Sequence, residues 1–255
     1  MGKVSEILDG TRSADDLTLQ LTLIDMFGQR VPRPQLISRV LLEFDPSLTI
    51  AAADALTLHE RRLRLVHAAL GFGRWPAWFV ARCDSCSTPA DVLIEPGDML
   101  PAGQSRLPKA SLEVASPSGD LNLRMPDGHA EALLTEIDGV AAAARQLLKL
   151  CAADDVTARR IAKLGDEDAL IAANGLAAHA LDPEHMPGML SLPCPTCSAS
   201  VFVRFDGIDW IARHIGAALD EVALLARTYG WSETDICALP EARRRGYLAL
   251  AEAAS

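Results

Sequence analysis

Four of the six cysteines fall into two C-x-x-C pairs, Cys83 with Cys86 and Cys194 with Cys197. Thiolates at i and i+3 on a tight turn converge on one ion. Two such pairs complete a tetrahedral set with metal–sulfur bonds of about 2.3 Å. The chemistry this implies is a closed, structural zinc site, since four thiolates leave no coordination position for a water or a substrate. In a reducing compartment the spacing reads as metal binding before disulfide formation. More than a hundred residues separate the pairs, far beyond the roughly 15–20 of a compact ribbon, so a shared ion would clasp the first half of the chain to the second. Two reduced, metal-free knuckles are the alternative. A redox dithiol of the thioredoxin kind sits at a helix start, and neither pair does.

The other reactive side chains offer no comparable pattern. Cys151 ends an apolar helical stripe and Cys237 lies between Ile236 and Ala238; both read as small buried hydrophobes. His59 and His67 are two turns apart on one expected helix, too far for one metal, and the remaining histidines are scattered. Gly71 and Gly73 follow a helix instead of a strand, so they read as a helix stop and not as a phosphate loop. The sequence contains no P-loop, no G-x-S-x-G elbow and no apolar-flanked carboxylate pair. No catalytic residue is assigned, and the chain is expected not to be an enzyme.

Composition narrows the class further. Apolar residues make up 49% and charged residues 23% of the 255, near globular averages, which excludes wholesale disorder. A net charge of −10 repels phosphate backbones and anionic membranes; the short run Arg243, Arg244 and Arg245 is the basic patch. Aromatic residues are 5%, too few to suggest a base-stacking platform. Residues 1–9 carry Lys3, Glu6 and Asp9 without an apolar core, so a cytoplasmic protein is expected. The uncharged stretch from His185 to Val203 contains Pro187, Pro193, Pro195 and a cysteine pair, which a membrane-spanning helix would not tolerate.

Periodicity places these residues on elements. Leu17, Leu19, Leu21 and Leu23 alternate with polar residues, the period of a half-buried strand. Helices are expected over about 35–44 and 50–70, and strands over 75–82 and 91–95 flank the first cysteine pair. A turn at Pro117, Ser118 and Gly119 joins strands over 112–115 and 121–125. Helical spacing covers 127–151, with two further helices between Asp154 and Leu181. A hairpin over 190–205 carries the second cysteine pair. An amphipathic helix over 208–229 is stopped by Gly230. Ser232 and Asp235 form a capping box for a short helix, and Pro240 opens the last one.

The C-terminal run Leu225 to Leu248, LARTYGWSETDICALPEARRRGYL, resembles the signature of baseplate hub and hub-assembly chaperone proteins of contractile phage tails and related injection systems. The resemblance extends upstream to the C-P-x-C knuckle Cys194–Cys197 and the aromatic segment Phe205 to Trp210. It takes in the Leu-, Arg- and His-rich helix Leu58 to Leu70 before the first knuckle, the hairpin strand Asp120 to Met125, and the Leu-Leu-x-x-Cys segment Leu147 to Cys151. It covers most of the chain. Departures are Ser87 and Ser198, where the family often has Gly after the second knuckle cysteine, and Asp84, where it often has Pro. The resemblance implies no enzymatic activity and a role in assembling the central hub through protein contacts.

The expected fold is α+β and mainly helical, with two small β-hairpins forming a split zinc ribbon and a helical C-terminal segment. Expected units are residues 1–95, a Pro- and Gly-rich linker 96–110, residues 111–205, and C-terminal helices 206–255. Structural zinc is expected on Cys83, Cys86, Cys194 and Cys197. Contact with hub, spike or tube proteins is expected through Trp231, Arg243, Arg244, Arg245 and Tyr247, with a hydrophobic staple and a solvated arginine face as the alternative for those five. A zinc-ribbon regulatory or nucleic-acid-binding protein is the rival class, disfavoured by charge.

Overall fold

The computed structural model describes residues 16–99, 111–180 and 186–253. Most of the expected linker and the first nine residues lie outside the described residues. The fold is α+β and mainly helical, with three separate two-stranded antiparallel hairpins.

Helix α1 spans Leu17–Phe27, with Asp16 accepting a hydrogen bond from the Leu19 backbone N–H at 3.2 Å. The strand expected over Leu17–Leu23 is therefore corrected to a helix. Residues two apart on a helix point about 200° apart, so alternating leucines make two opposite apolar rows. Leu19 and Leu23 enter the main core, while Leu17, Leu21 and Ile24 pack against a C-terminal helix group. A helix buried on both sides carries the same alternation as a half-buried strand.

Helix α2 (Arg33–Phe44) opens on a proline pair. The single helix expected over 50–70 is two, α3 (Ile50–Ala55) and α4 (Leu58–Leu70). They are divided where Leu56 turns extended and its carbonyl accepts from the Gly128 N–H at 3.2 Å. Thr57 and Glu60 then form a capping box that restarts the helix. Strands β1 (Ala77–Arg82) and β2 (Pro89–Ile94) form the first hairpin, followed by the short α5 (Pro96–Met99).

Strands β3 (Ser111–Val114) and β4 (Leu121–Arg124) pair as expected. Helix α6 (Gly128–Leu134) and α7 (Val140–Cys151) replace the one helix expected over 127–151; Gly139, at φ +93°, separates them. Helices α8 (Asp155–Ile161) and α9 (Asp166–Ala180) close a core around Leu121, Leu123, Leu148, Ile161 and Leu176.

Strands β5 (Met189–Pro193) and β6 (Ser200–Arg204) form the third hairpin. The helix expected over 208–229 divides at Ile215 and Gly216 into α10 (Gly207–His214) and α11 (Ala217–Tyr229). Helix α12 (Glu233–Cys237) starts at the Ser232–Asp235 capping box, and α13 (Glu241–Ala253) follows Pro240.

The largest core draws on α1, α2 and α4, on both cysteine-bearing hairpins, and on α10. Rings hold the two hairpins together: Phe79 on β1 meets Phe205 at 6.2 Å and stacks on Trp210 at 5.6 Å, while Trp210 donates its indole N–H to the Phe72 carbonyl at 2.8 Å. Burying such rings and joining them edge to face contributes both area and specific geometry. The packing sets β1 beside β6, and with them the two cysteine turns.

Candidate metal centre

Each cysteine pair occupies the turn of its own hairpin, and the two turns use the same backbone scheme. Ser87 N–H donates to the Cys83 carbonyl at 2.8 Å, and Cys83 N–H donates to the Thr88 carbonyl at 3.0 Å. In the other turn Ser198 N–H donates to the Cys194 carbonyl at 2.9 Å and Cys194 N–H to the Ala199 carbonyl at 2.7 Å. Ser87 and Ser198 have φ of 59° and 61°, the left-handed region that a knuckle turn needs after its second cysteine. Arg82 braces the first turn by donating to the Ser87 carbonyl at 2.7 Å.

The four sulfurs converge across the hairpins. Cys83 Sγ lies 3.6 Å from Cys197 Sγ, Cys86 Sγ lies 3.6 Å from Cys194 Sγ, and all four fall within 4.8 Å of one another. A disulfide would require about 2.05 Å. Four sulfurs bound tetrahedrally at about 2.3 Å lie about 3.8 Å apart, so the observed spacing fits a cation held between the turns. Cys83 and Cys194 are 1% and 2% exposed, Cys86 is half-buried, and Cys197 faces solvent. The site is thus anchored in the core on one side and reachable by an ion on the other.

Electrostatics support the same reading. Hydrogen bonds from Thr88 bring the Cys86 thiol down to about 6, and the Cys197 and Thr196 backbone N–H groups lower that of Cys194. The Ala199 N–H favours the Cys197 thiolate, but the adjacent Cys86 and Cys83 sulfurs outweigh it and push Cys197 up to about 12. Four neighbouring thiols cannot all ionise alone; a divalent cation between them removes that conflict. Bound there, zinc would supply structural cross-linking and no reactive water, because all four positions are filled by protein. Cys151, by contrast, is buried and its thiol is pushed up to about 12 by loss of hydration, as a small core residue should be.

The five residues expected to meet a partner are not one patch. Trp231 stacks on Tyr229 at 4.7 Å and meets Tyr247 edge-on at 4.8 Å, so these rings fasten the α11–α12 turn to α13. Arg243 is exposed, and Arg245 is exposed while pairing with Glu241 one turn back. Arg244 corrects the expectation of a free basic run: it is 6% exposed and ion-paired with Glu221 of α11. On a helix, successive residues point about 100° apart, and the middle arginine of the three faces inward.

Sequence reasoning passed over Arg61, which is 2% exposed in α4. Its signal was present, since Arg61 lies three residues after Leu58 and four before Leu65, on the apolar face. Among the described residues no helix is long and apolar enough to cross a membrane. Comparison with known proteins yields no match, whether to a family model, to a curated protein or to a solved structure.

Proposed function

We propose that this chain is a non-enzymatic baseplate hub component, or hub-assembly factor, of a phage-like contractile tail or injection system. It works in the cytoplasm, where particles assemble, through protein contacts. Zinc on Cys83, Cys86, Cys194 and Cys197 ties together the two hairpins that frame its main core. The observation that carries the reading is the C-terminal run Leu225 to Leu248, whose distinctive residues resemble the hub signature. What supports it physically is that the run makes a self-contained clasp: Tyr229, Trp231 and Tyr247 pack as one aromatic group, and the Tyr229 hydroxyl donates to the Tyr247 carbonyl at 3.2 Å. That clasp holds Arg243 and Arg245 at the surface, where rim charges govern the rate and salt dependence of association.

The test is recovery of partners and completion of particles. An affinity-tagged chain should retain hub, spike or tube proteins, and the Arg243→Glu/Arg245→Glu double variant should lose them while its stability falls by no more than about 1 kcal/mol. Removing the chain from cells that produce such particles should leave tails without completed baseplates in electron micrographs. Normal particle numbers in its absence would overturn the reading.

A further inference from the structure

The four sulfurs of the metal centre are not equivalent. Cys83 and Cys194, the first cysteine of each turn, are buried, Cys86 is half-buried, and Cys197 is the exposed one of the four. The second cysteines also differ in their neighbours. Two residues after Cys86 stands Thr88, whose hydroxyl lies 3.3 Å from Cys86 Sγ, in place to donate to the thiolate. Two residues after Cys197 stands Ala199, which has no hydroxyl to offer. A charge-assisted hydrogen bond engages a thiolate lone pair that would otherwise attack an electrophile. Zinc takes its cysteines as thiolates, so in the loaded site protonation does not rank the four sulfurs; access and hydrogen bonding do. Both place Cys197 first.

A second sulfur stands within reach of it. Cys83 Sγ, 114 positions away in the chain and on the other hairpin, lies 3.6 Å from Cys197 Sγ. That is contact distance, from which side-chain rotation brings two sulfurs to a bond of about 2.05 Å. Cys83 is shielded from solutes by the core, but a reaction with a neighbouring sulfur needs no path from solvent.

We infer that Cys197 is an oxidation site, at which hydrogen peroxide replaces the metal clasp by a covalent one, the Cys83–Cys197 disulfide. The Cys197 thiolate attacks one peroxide oxygen; the O–O bond breaks, hydroxide leaves and Cys197 becomes a sulfenic acid. The Cys83 thiolate attacks that sulfur, the S–O bond breaks and a second hydroxide leaves. Two protons from solvent convert both hydroxides to water. The two sulfurs together give up two electrons and the peroxide gains them. The metal, left with two ligands, is released. The inference rests on the zinc site of the reading above and not on its hub role. Its consequence is that the hairpins stay tied when the metal has gone, because this bond runs between them; a bond within one turn would let them part.

The test is oxidation of the full chain, its zinc content measured first, with one equivalent of hydrogen peroxide. Zinc release is followed with a metal indicator, sulfenic acid is trapped with dimedone, and disulfides are mapped by mass spectrometry of the alkylated, unreduced digest. Dimedone should label Cys197 before any other cysteine. The first disulfide should be Cys83–Cys197, formed in step with zinc loss, and dithiothreitol with added zinc should reverse both. The oxidised, metal-free chain should melt above the reduced, metal-free chain. First labelling at Cys86, a first disulfide of any other pairing, a bond between two chains, no reaction with excess peroxide, or equal melting of the two metal-free forms overturns the inference. Every measurement is made on the wild-type chain, so none depends on a variant that folds. A purified chain without zinc fails the metal reading by itself, and the same map still decides the cross-link.

Discussion

Cys86 and Cys194 are 108 positions apart in the chain, and their sulfurs are 3.6 Å apart in the fold. Nothing local could bring them together. The contact is made by the packing of Phe79, Phe205 and Trp210, which sets one hairpin beside the other and leaves the sulfurs at the spacing of a shared ion.

Protein purified without chelator should therefore contain one zinc per chain. Structural zinc is worth roughly 10–16 kcal/mol of apparent binding free energy in small peptides, and here it closes a long loop. Removing it with a strong chelator should lower the melting temperature by many degrees and loosen the main core in hydrogen exchange. Cys83→Ser and Cys194→Ser, which replace buried ligands on different hairpins, should be equally damaging. A zinc content below one per two chains, or a Cys83→Ser variant with full zinc and stability, sinks the shared site.

Ser87 and Ser198 occupy left-handed backbone at 59° and 61°, a conformation that costs a side chain-bearing residue roughly 1–2 kcal/mol. Glycine would relieve it but would lose more freedom on folding, by roughly 0.5–1 kcal/mol. Ser87→Gly and Ser198→Gly should each raise the stability of the zinc-loaded protein by up to about 1 kcal/mol, with zinc content unchanged, in denaturant titrations. A clear loss of stability would mean that the hydroxyls themselves contribute.

The knuckles, the hairpins around them and the Ser232–Asp235 capping box were legible in the sequence because each is specified by residues within a few positions of one another. What escaped depends on distant partners. Helix α1 reads as a strand because the two bodies that flank it, one containing Leu41 and Val66 and the other Val222 and Leu225, are invisible from Leu17–Leu23 alone. The break at Leu56 is held by Gly128, and the inward turn of Arg244 by Glu221. Gly139 and Gly216, in contrast, marked their breaks openly; continuous apolar spacing on both sides masked them.

Gly128 exists to admit Arg61. A Cβ added there would lie 2.1 Å from Arg61 Nη1 and 2.4 Å from its Cζ, and Arg61 cannot retreat without giving up its bonds to α2 and α3. Displacing a buried cation from its partners costs about 3–5 kcal/mol. Gly128→Ala should lower unfolding free energy by about 3 kcal/mol. Gly246→Ala, on the exposed side of α13 with nothing within 4 Å, should raise it by about 0.5–1 kcal/mol. Urea titrations measure both, and equal effects would refute the role given to Arg61.

Reversing charge along the Arg243–Arg245 run should separate structure from surface. Arg244 is buried against Glu221, so Arg244→Glu would set two carboxylates together inside the contact between α11 and α13. Removing one partner of a buried pair costs about 3–5 kcal/mol, and like charge adds to that. The expected result is a melting temperature lowered by many degrees and early loss of hydrogen-exchange protection in α11 and α13. Arg243→Glu, at an exposed position, should change stability by less than about 0.5 kcal/mol. Arg245→Glu gives up an exposed pair with Glu241 one turn away, worth about 0.3–0.5 kcal/mol. If all three reversals leave the melting temperature alike, the arginines form a single solvated face and the Arg244–Glu221 pair does not hold the C-terminal helices together.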